Sequence, residues 1–360
     1  MAEGEKILAI DIGAGTQDIL IYDPQKTMEG MISLVLPSPT LFLGERIQRC
    51  RGDLFFTGDT IGGGGITSVI KKHIQSRHKV IMTRDAAFSV RDNLEEVESL
   101  GIEIRDALPP DFTGDQFYLR EVNLKLLREF LKNFGEDFNI GVIALAVQDH
   151  GTPPLNSSAR KFRFATFERL LQVKRSPFNF AYWENEIPLL YKRMRSACQA
   201  AKEQLPHARI LLMDTSFSAI VGCMEENTRP SLLVNVGNNH TLAVLFSQGE
   251  IDGLMELHTL SLTPADLREQ IELFVRGDIT NDEVFERGGH GAVIFNPHPL
   301  KELTIKVTGP HRELFRDTGL QFEFAAPYGN MMMTGPIGLI KAVWAKLGQT
   351  CYSKRSGNSL

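Results

Sequence analysis

Ile7-Leu8-Ala9-Ile10-Asp11-Ile12-Gly13-Ala14-Gly15-Thr16-Gln17-Asp18-Ile19-Leu20-Ile21-Tyr22-Asp23 reads as strand, tight turn, strand. The first half is a short apolar run that ends in an acid, and the second half is β-rich and closes on another. Gly13 and Gly15 supply a turn free to take positive φ and to present its backbone N–H groups. A concave row of N–H donors suits a phosphate. Asp11 stands where it could hold a hydrated Mg²⁺, an ion that keeps most of its waters and takes only one or two carboxylates. Thr16 adds a hydroxyl donor. A plain β-hairpin with glycine at its turn accounts for the same residues, so the reading depends on whether the pattern recurs.

It recurs at Leu232-Leu233-Val234-Asn235-Val236-Gly237-Asn238-Asn239-His240-Thr241-Leu242-Ala243-Val244-Leu245-Phe246. The order is again apolar strand, polar residue, apolar residue, glycine, turn, apolar strand. Thr16 and Thr241 are read as ending the two turns, with one extra residue in the second. Asn238 and Asn239 occupy turn positions that tolerate positive φ. Two matched hairpins so far apart point to two sheets facing each other across a cleft, each offering N–H groups to one polyphosphate.

The chain between and beyond them alternates strand and helix patterns. Gly30 to Leu43 is apolar and β-branched but broken by Pro37 and Pro39, and Leu54 to Thr57 and Val80 to Thr83 read as strands. The glycine run Gly62-Gly63-Gly64-Gly65 precedes a helix over Ile66 to Ser76. A nucleotide P-loop needs Gly-Lys-Ser/Thr at its end; here Ile66-Thr67-Ser68 follows and Lys71 comes a turn too late, so that motif is rejected. The run is either a mobile loop or an anion site at a helix start. Val122 to Phe134 is an amphipathic helix. Ile140 to Val147 reads as a strand buried on both faces. It ends at Gln148-Asp149-His150-Gly151, where open α/β sheets place ligands, although a turn with a capping Asp explains the same residues.

Lys161 to Lys174 is basic with Phe162, Phe164 and Phe167 interleaved, the spacing of a helix docked by its phenylalanines. Glu186 to Gln204 reads as helix with Pro188 in its first turn. Arg209 to Met213 is a buried strand, and Asp214 can cap the small-residue helix that follows. Asp282 to Arg287 is a short helix closed by Gly288-Gly289-His290-Gly291. Lys301 to Val307 is a strand that runs into Thr308-Gly309-Pro310, and Gly335 opens a last apolar helix through Leu347.

Composition bounds the class. A 360-residue chain with 42% apolar and 23% charged residues can bury a large core, in two domains or one very large one. A net charge of -5 argues against nucleic acid as a partner. Cys50, Cys198, Cys223 and Cys351 are scattered without a Cys-x-x-Cys pair, which excludes a zinc ribbon and fits a reducing compartment. The polar start lacks a signal-peptide pattern and no run is long enough to span a membrane, so a cytoplasmic protein is expected.

The order of motifs resembles the superfamily of actin, the seventy-kilodalton heat-shock chaperones and the sugar and acetate kinases. Asp11 to Thr16 resembles its first phosphate motif, Asp214 to Gly222 its first connecting helix, and Asn235 to Thr241 its second phosphate motif. Val307-Thr308-Gly309 resembles the adenosine motif, and Gly335 to Trp344 the second connecting helix. Within that superfamily the chain is most similar to a prokaryotic family labelled pyruvate formate-lyase activating enzyme-like. The radical chemistry of that label needs a three-cysteine cluster that the spacing does not supply. The chain departs from the superfamily where Asn235 replaces an acid, Asn238 and Asn239 replace glycines, and Pro310 replaces a second glycine.

The resemblance implies an α/β fold of the two-lobed actin-like ATPase type, with ribonuclease H-like mixed sheets flanked by helices. Residues 1–228 plus 335–350 would form the first lobe, 229–334 the second, and 351–360 a flexible tail. It implies ATP and Mg²⁺ in the cleft, held by Gly13, Ala14, Gly15, Thr16, Gly237, Asn238, Asn239, His240, Thr241, Thr308 and Gly309, with Asp11 and Asp18 at the metal. Asp11, Asp149 and Asp214 would be the catalytic acids, and Gln148 and His150 would line the acceptor side. Three functions stay open: a phosphotransferase or ATPase acting on a small-molecule or protein acceptor, a nucleotide sensor or scaffold that does not hydrolyse, and a reductive activator with a cluster shared between subunits. A homodimer is compatible with all of them.

Overall fold

Lys6–Ile12 and Thr16–Tyr22 pair antiparallel, with Asp11 directly opposite Asp18. Around this hairpin the computed structural model, which describes residues 5–154, 157–225 and 229–348, builds a six-stranded sheet. Ile32–Pro37 extends the hairpin on one side, and Ile140–Val147 and Arg209–Asp214 run parallel to Lys6–Ile12 on the other. Ala181–Trp183 closes the far edge antiparallel. The expected tail, with Cys351, lies outside the described residues. Ile140–Val147 is buried at every residue except Gly141, as its unbroken apolar run requires.

The second sheet repeats the plan. Ser231–Val236, His240–Ser247 and Glu250–His258 form an antiparallel meander, Thr304–Thr308 and Glu323–Phe324 lie parallel beyond Ser231–Val236, and Gly291–Ile294 covers the other edge. Each sheet therefore places its first strand between its own hairpin partner and a parallel strand. This is the ribonuclease H-like arrangement, present twice, and the mixed α/β class expected from sequence is the class observed.

The register corrects the comparison of the two turns. Ile12 pairs with Gln17 and Val236 with Thr241, so the turns are Gly13–Thr16 and Gly237–His240, equal in length. Gly13 N donates to Thr16 O at 2.9 Å, and Gly237 N donates to His240 O at 3.0 Å. His240, not Thr241, is thus the counterpart of Thr16, and Asn235 is the counterpart of Asp11. Matching threonine to threonine had introduced the extra residue.

Other segments differ from their sequence patterns for local reasons. Gly30 to Leu43 divides at Ser38, which caps a helix over Pro39–Arg49 with Pro39 in its first turn. The helix expected from Glu186 starts only at Lys192, and Pro188 lies in the loop before it. Residues 54–119 form a separate four-stranded parallel sheet, in the order Ile102–Ile104, Val80–Met82, Leu54–Gly58, Asp115–Leu119. Its two outer strands carried too few apolar residues to be seen in sequence.

Two helices lie between the main sheets. Thr215–Cys223 is capped by Asp214, whose Oδ1 accepts from Ser216 N at 3.0 Å, and it packs against Thr334–Lys346. They cross backbone to backbone. A Cβ on Gly222 would fall 1.9 Å from Thr334 O, and one on Gly338 would fall 1.8 Å from Ser218 O. Gly338→Ala should lower stability by about 3 kcal/mol, because neither backbone can yield without moving its sheet. An unchanged urea midpoint would show that the crossing is looser than this.

Candidate functional site

The two turns meet. A Cβ built on Gly15 would lie 3.6 Å from Asn238 Nδ2, which sets the tips of the hairpins in side-chain contact. Ser38 fastens the first turn from outside: its Oγ donates to Ala14 O at 2.9 Å and its N donates to Gly15 O at 3.0 Å. No hydrogen bond among the described residues claims the N–H of Ala14, Gly15, Asn238 or Asn239. Both turns therefore keep donors of the kind an anion binds.

Beneath the first turn lie Asp11 and Asp18. Thr215 Oγ1 donates to Asp11 Oδ1 at 2.6 Å, and the start of the Thr334–Lys346 helix presses so close that a Cβ on Gly335 would fall 1.9 Å from Asp11 Oδ2. Asp18 Oδ1 is buried with no hydrogen-bond partner. Burial, reinforced by the Asp18 carboxylate, pushes Asp11 up to about 8, and burial pushes Asp18 up to about 7. Two shielded acids with an orphaned oxygen suit a cation, and oxygen donors suit Mg²⁺. The second hairpin has Asn235 and Leu242 at the matching positions and offers no such pair.

The shifts give a sign to the pH dependence. Both carboxyls ionise more readily in the unfolded chain, near 3.8, than in the fold. The stability carried by their neutral forms is complete below about pH 4 and is lost as pH rises through about 7 to 8. Asp11→Asn should therefore raise the melting temperature of the metal-free protein at pH 8 by about 2 °C or more, and leave it unchanged at pH 4. Thermal unfolding at the two pH values checks this, and an equal effect at both would contradict it.

The other expected acids are engaged. Asp149 accepts from Gly151 N at 2.9 Å and from Met194 N at 3.1 Å, so it caps the Lys192–Gln204 helix from outside. Asp214 caps its own helix and holds Arg163, with Nη1 to Oδ2 at 2.9 Å and Nη2 to Oδ1 at 3.3 Å. Neither carboxylate is placed as a general base. Thr241 is buried with its hydroxyl 3.0 Å from that of Thr259, and Thr308 Oγ1 donates to Thr334 Oγ1 at 3.2 Å, so these hydroxyls serve the fold. Gly309, at φ +101, lies against the end of the second phosphate strand, where a Cβ would fall 2.4 Å from Val236 O.

Arg163 joins the halves and was not anticipated. It sits in the Ala159–Val173 helix between Phe162 and Phe164, and its side chain is fully buried. Its Nε and Nη2 donate to Glu256 at 3.0 to 3.1 Å, and Nη1 also donates to Asp149 O at 3.0 Å. All five N–H groups are thereby used. Burial pushes the Glu256 carboxyl up, but the Arg163 guanidinium outweighs it and brings Glu256 down to about 2. Asp214 ends a strand of the first sheet and Glu256 lies in one of the second, so a single guanidinium pins the two sheets together. The clue in the sequence was an arginine inside an otherwise phenylalanine-lined face.

No curated protein matches the chain. Similar solved structures include a Bacteroides thetaiotaomicron protein with actin-like ATPase fold and unknown function, 12% identical, with a TM-score of 0.37, covering 93% of this chain and 96% of that one. MreB5 of Spiroplasma citri bound to ADP is 10% identical, with a TM-score of 0.35, covering 95% and 97%. The ROK hexokinase from Thermus thermophilus is 9% identical, with a TM-score of 0.33, covering 95% and 99%. No helix of the described residues is long and apolar enough to cross a membrane. The model of the family described as "Putative pyruvate format-lyase activating enzyme (DUF1786)" matches residues 61–314, and the chain belongs to that family.

Proposed function

We propose that the chain binds ATP with Mg²⁺ between its two turns and passes the terminal phosphoryl group to water or to a small-molecule or protein hydroxyl. The observation that carries this reading is the meeting of two turns of equal length, closed by the same hydrogen bond, with paired acids under only one of them. The N–H groups of Gly13–Thr16 and Gly237–His240 would grip the β- and γ-phosphates. Asp11 and Asp18 would hold the metal, which neutralises charge on the phosphates as they separate. Gly309 would form the wall for the nucleoside. Gln148 and His150 would face the acceptor.

The family description names a different chemistry, one that calls for thiolates. Cys198 and Cys223 are buried, and burial pushes their thiols up to about 11 and about 12, so both behave as small hydrophobes. Among the described residues the one group of three potential metal ligands contains no cysteine, which supports the phosphoryl reading over a radical one.

A second reading has its own support. With Asp149 and Asp214 both engaged, and Asn235 standing where an acid would be, the cleft could bind nucleotide without turning it over. Thermal unfolding with ATP, ADP or GTP, each with and without Mg²⁺, tests what the two readings share. A nucleotide at 100 times its Kd adds about 2.7 kcal/mol of apparent stability. No shift with any of them would refute both, and phosphate release measured beside the shift separates the two.

A further inference from the structure

Three histidines from distant segments converge on the seam between the main sheets. His150 follows the Ile140–Val147 strand, His240 closes the second turn, and His290 precedes the Gly291–Ile294 strand. One ligand atom from each lies within 4.8 Å of the other two, and among the described residues no other group of three His, Cys, Asp or Glu side chains does this. His290 is 2% exposed, and neither of its ring nitrogens has a hydrogen-bond partner in the protein. Buried polar atoms are almost always paired, so two orphaned nitrogens on one ring call for a ligand.

The surroundings hold that ring in place. Arg160 Nη1 donates to Gly288 O at 2.7 Å and to Gly289 O at 2.8 Å, and His290 N donates to Glu256 O at 2.8 Å. Gly291 packs so tightly that a Cβ would fall 2.0 Å from Asn281 Oδ1. Gln148 Nε2 lies 2.6 Å from His240 Nδ1. The same amide turned over would accept from Nδ1–H and leave the other nitrogen of that ring with its lone pair. The charges around the trio balance: Arg163 and Arg160 stand against the carboxylates of Asp214 and Glu256, so no net positive charge opposes a cation. Burial lowers His150, His240 and His290 to about 2, 3 and 4, so the rings are neutral, as metal ligands must be.

We propose that His150, His240 and His290 bind one divalent transition-metal ion of the zinc class, with a fourth position left to water or to a ligand in the cleft. Imidazole donors select such ions over Mg²⁺. Structural zinc sites close with four protein ligands, whereas three protein ligands leave a site open. His150 and His240 are half-buried and His290 is buried, so the trio is reached from the side of His150 and His240. Tetrahedral ligation at a Zn–N distance of about 2.0–2.1 Å sets nitrogens about 3.3 Å apart, so the trio closes by roughly 1.5 Å through side-chain rotation. The site differs in donor chemistry from the Asp11–Asp18 pair and does not rest on the nucleotide reading.

The test uses the full chain purified without a histidine tag. Elemental analysis should find about one transition-metal equivalent per chain, or the chelator-stripped protein should take up about one equivalent of Zn²⁺ or Co²⁺ by calorimetry. Bound Co²⁺ should show the visible bands of a four-coordinate nitrogen site. His290→Ala should weaken binding by at least about 100-fold, while His258→Ala, which removes a neighbour of His240 outside the trio, should not. If His290→Ala does not fold, His150→Ala, at a less buried ring, carries the same expectation. Absence of saturable binding to the wild-type chain, or unchanged affinity in the folded trio variants, would overturn the proposal.

Discussion

Arg163→Met is expected to lower stability by about 3–5 kcal/mol, the cost of leaving a buried ion pair without one partner. The guanidinium is 1% exposed and answers two carboxylates that reach it from different sheets. Methionine fills much of the same space but leaves Asp214 and Glu256 facing each other without a counter-charge. Each would then have to take up a proton or draw in water. The loss should be recovered, less about 1 kcal/mol for the Asp214 cap, when Asp214 and Glu256 are replaced by leucine in the same chain, since a buried charged triad can give way to apolar residues at little cost. Urea unfolding of the single and triple variants checks both statements. A single variant within about 1 kcal/mol of wild type would mean that the carboxylates find other partners and that the sheets are not pinned at this point.

Asp11→Ala is expected to reduce nucleotide turnover by at least about 100-fold, since loss of a metal ligand costs no less than loss of its supporting shell. The same change removes the more strongly shifted member of the Asp11–Asp18 pair, so the metal-free fold should survive at pH 8. Reduced turnover in an intact chain distinguishes a catalytic loss from unfolding. Steady-state phosphate release, with circular dichroism on the same samples, is the measurement. Unchanged turnover would remove Asp11 from the reaction.

Much of the fold was legible because strand periodicity is local. Ile7 to Asp23 announces its own hairpin, and the two-residue repeat sets Asp11 across from Asp18 without knowledge of anything else in the chain. Ile140 to Val147 declared its burial in the same way. The turn comparison failed because it matched residue chemistry, threonine with threonine, where strand register decides which residues correspond. The site was less legible because its parts are joined by long-range contacts. Arg163 meets Asp214 and Glu256 51 and 93 residues away, and the Lys161 to Lys174 pattern hints at an inward arginine only through its place on the face of Phe164 and Phe167, without naming its partners. His290 looked like one residue of a glycine-rich helix end. Its meaning depends on His150 and His240, which the topology of two sheets brings to it. For Asp149 and Asp214 the capping alternative that their turn positions allow is the one observed, and what the sequence did not show is that Arg163 also takes up Asp214.

The central claim is that two hairpin turns, one from each sheet, share one polyphosphate. The crystal structure of the chain with ADP and Mg²⁺ tests it most directly. The account predicts phosphate oxygens within hydrogen-bond distance of N–H groups in both Gly13–Thr16 and Gly237–His240, with the metal beside Asp11. A nucleotide whose phosphates touch only one turn, or lie away from both, would contradict it.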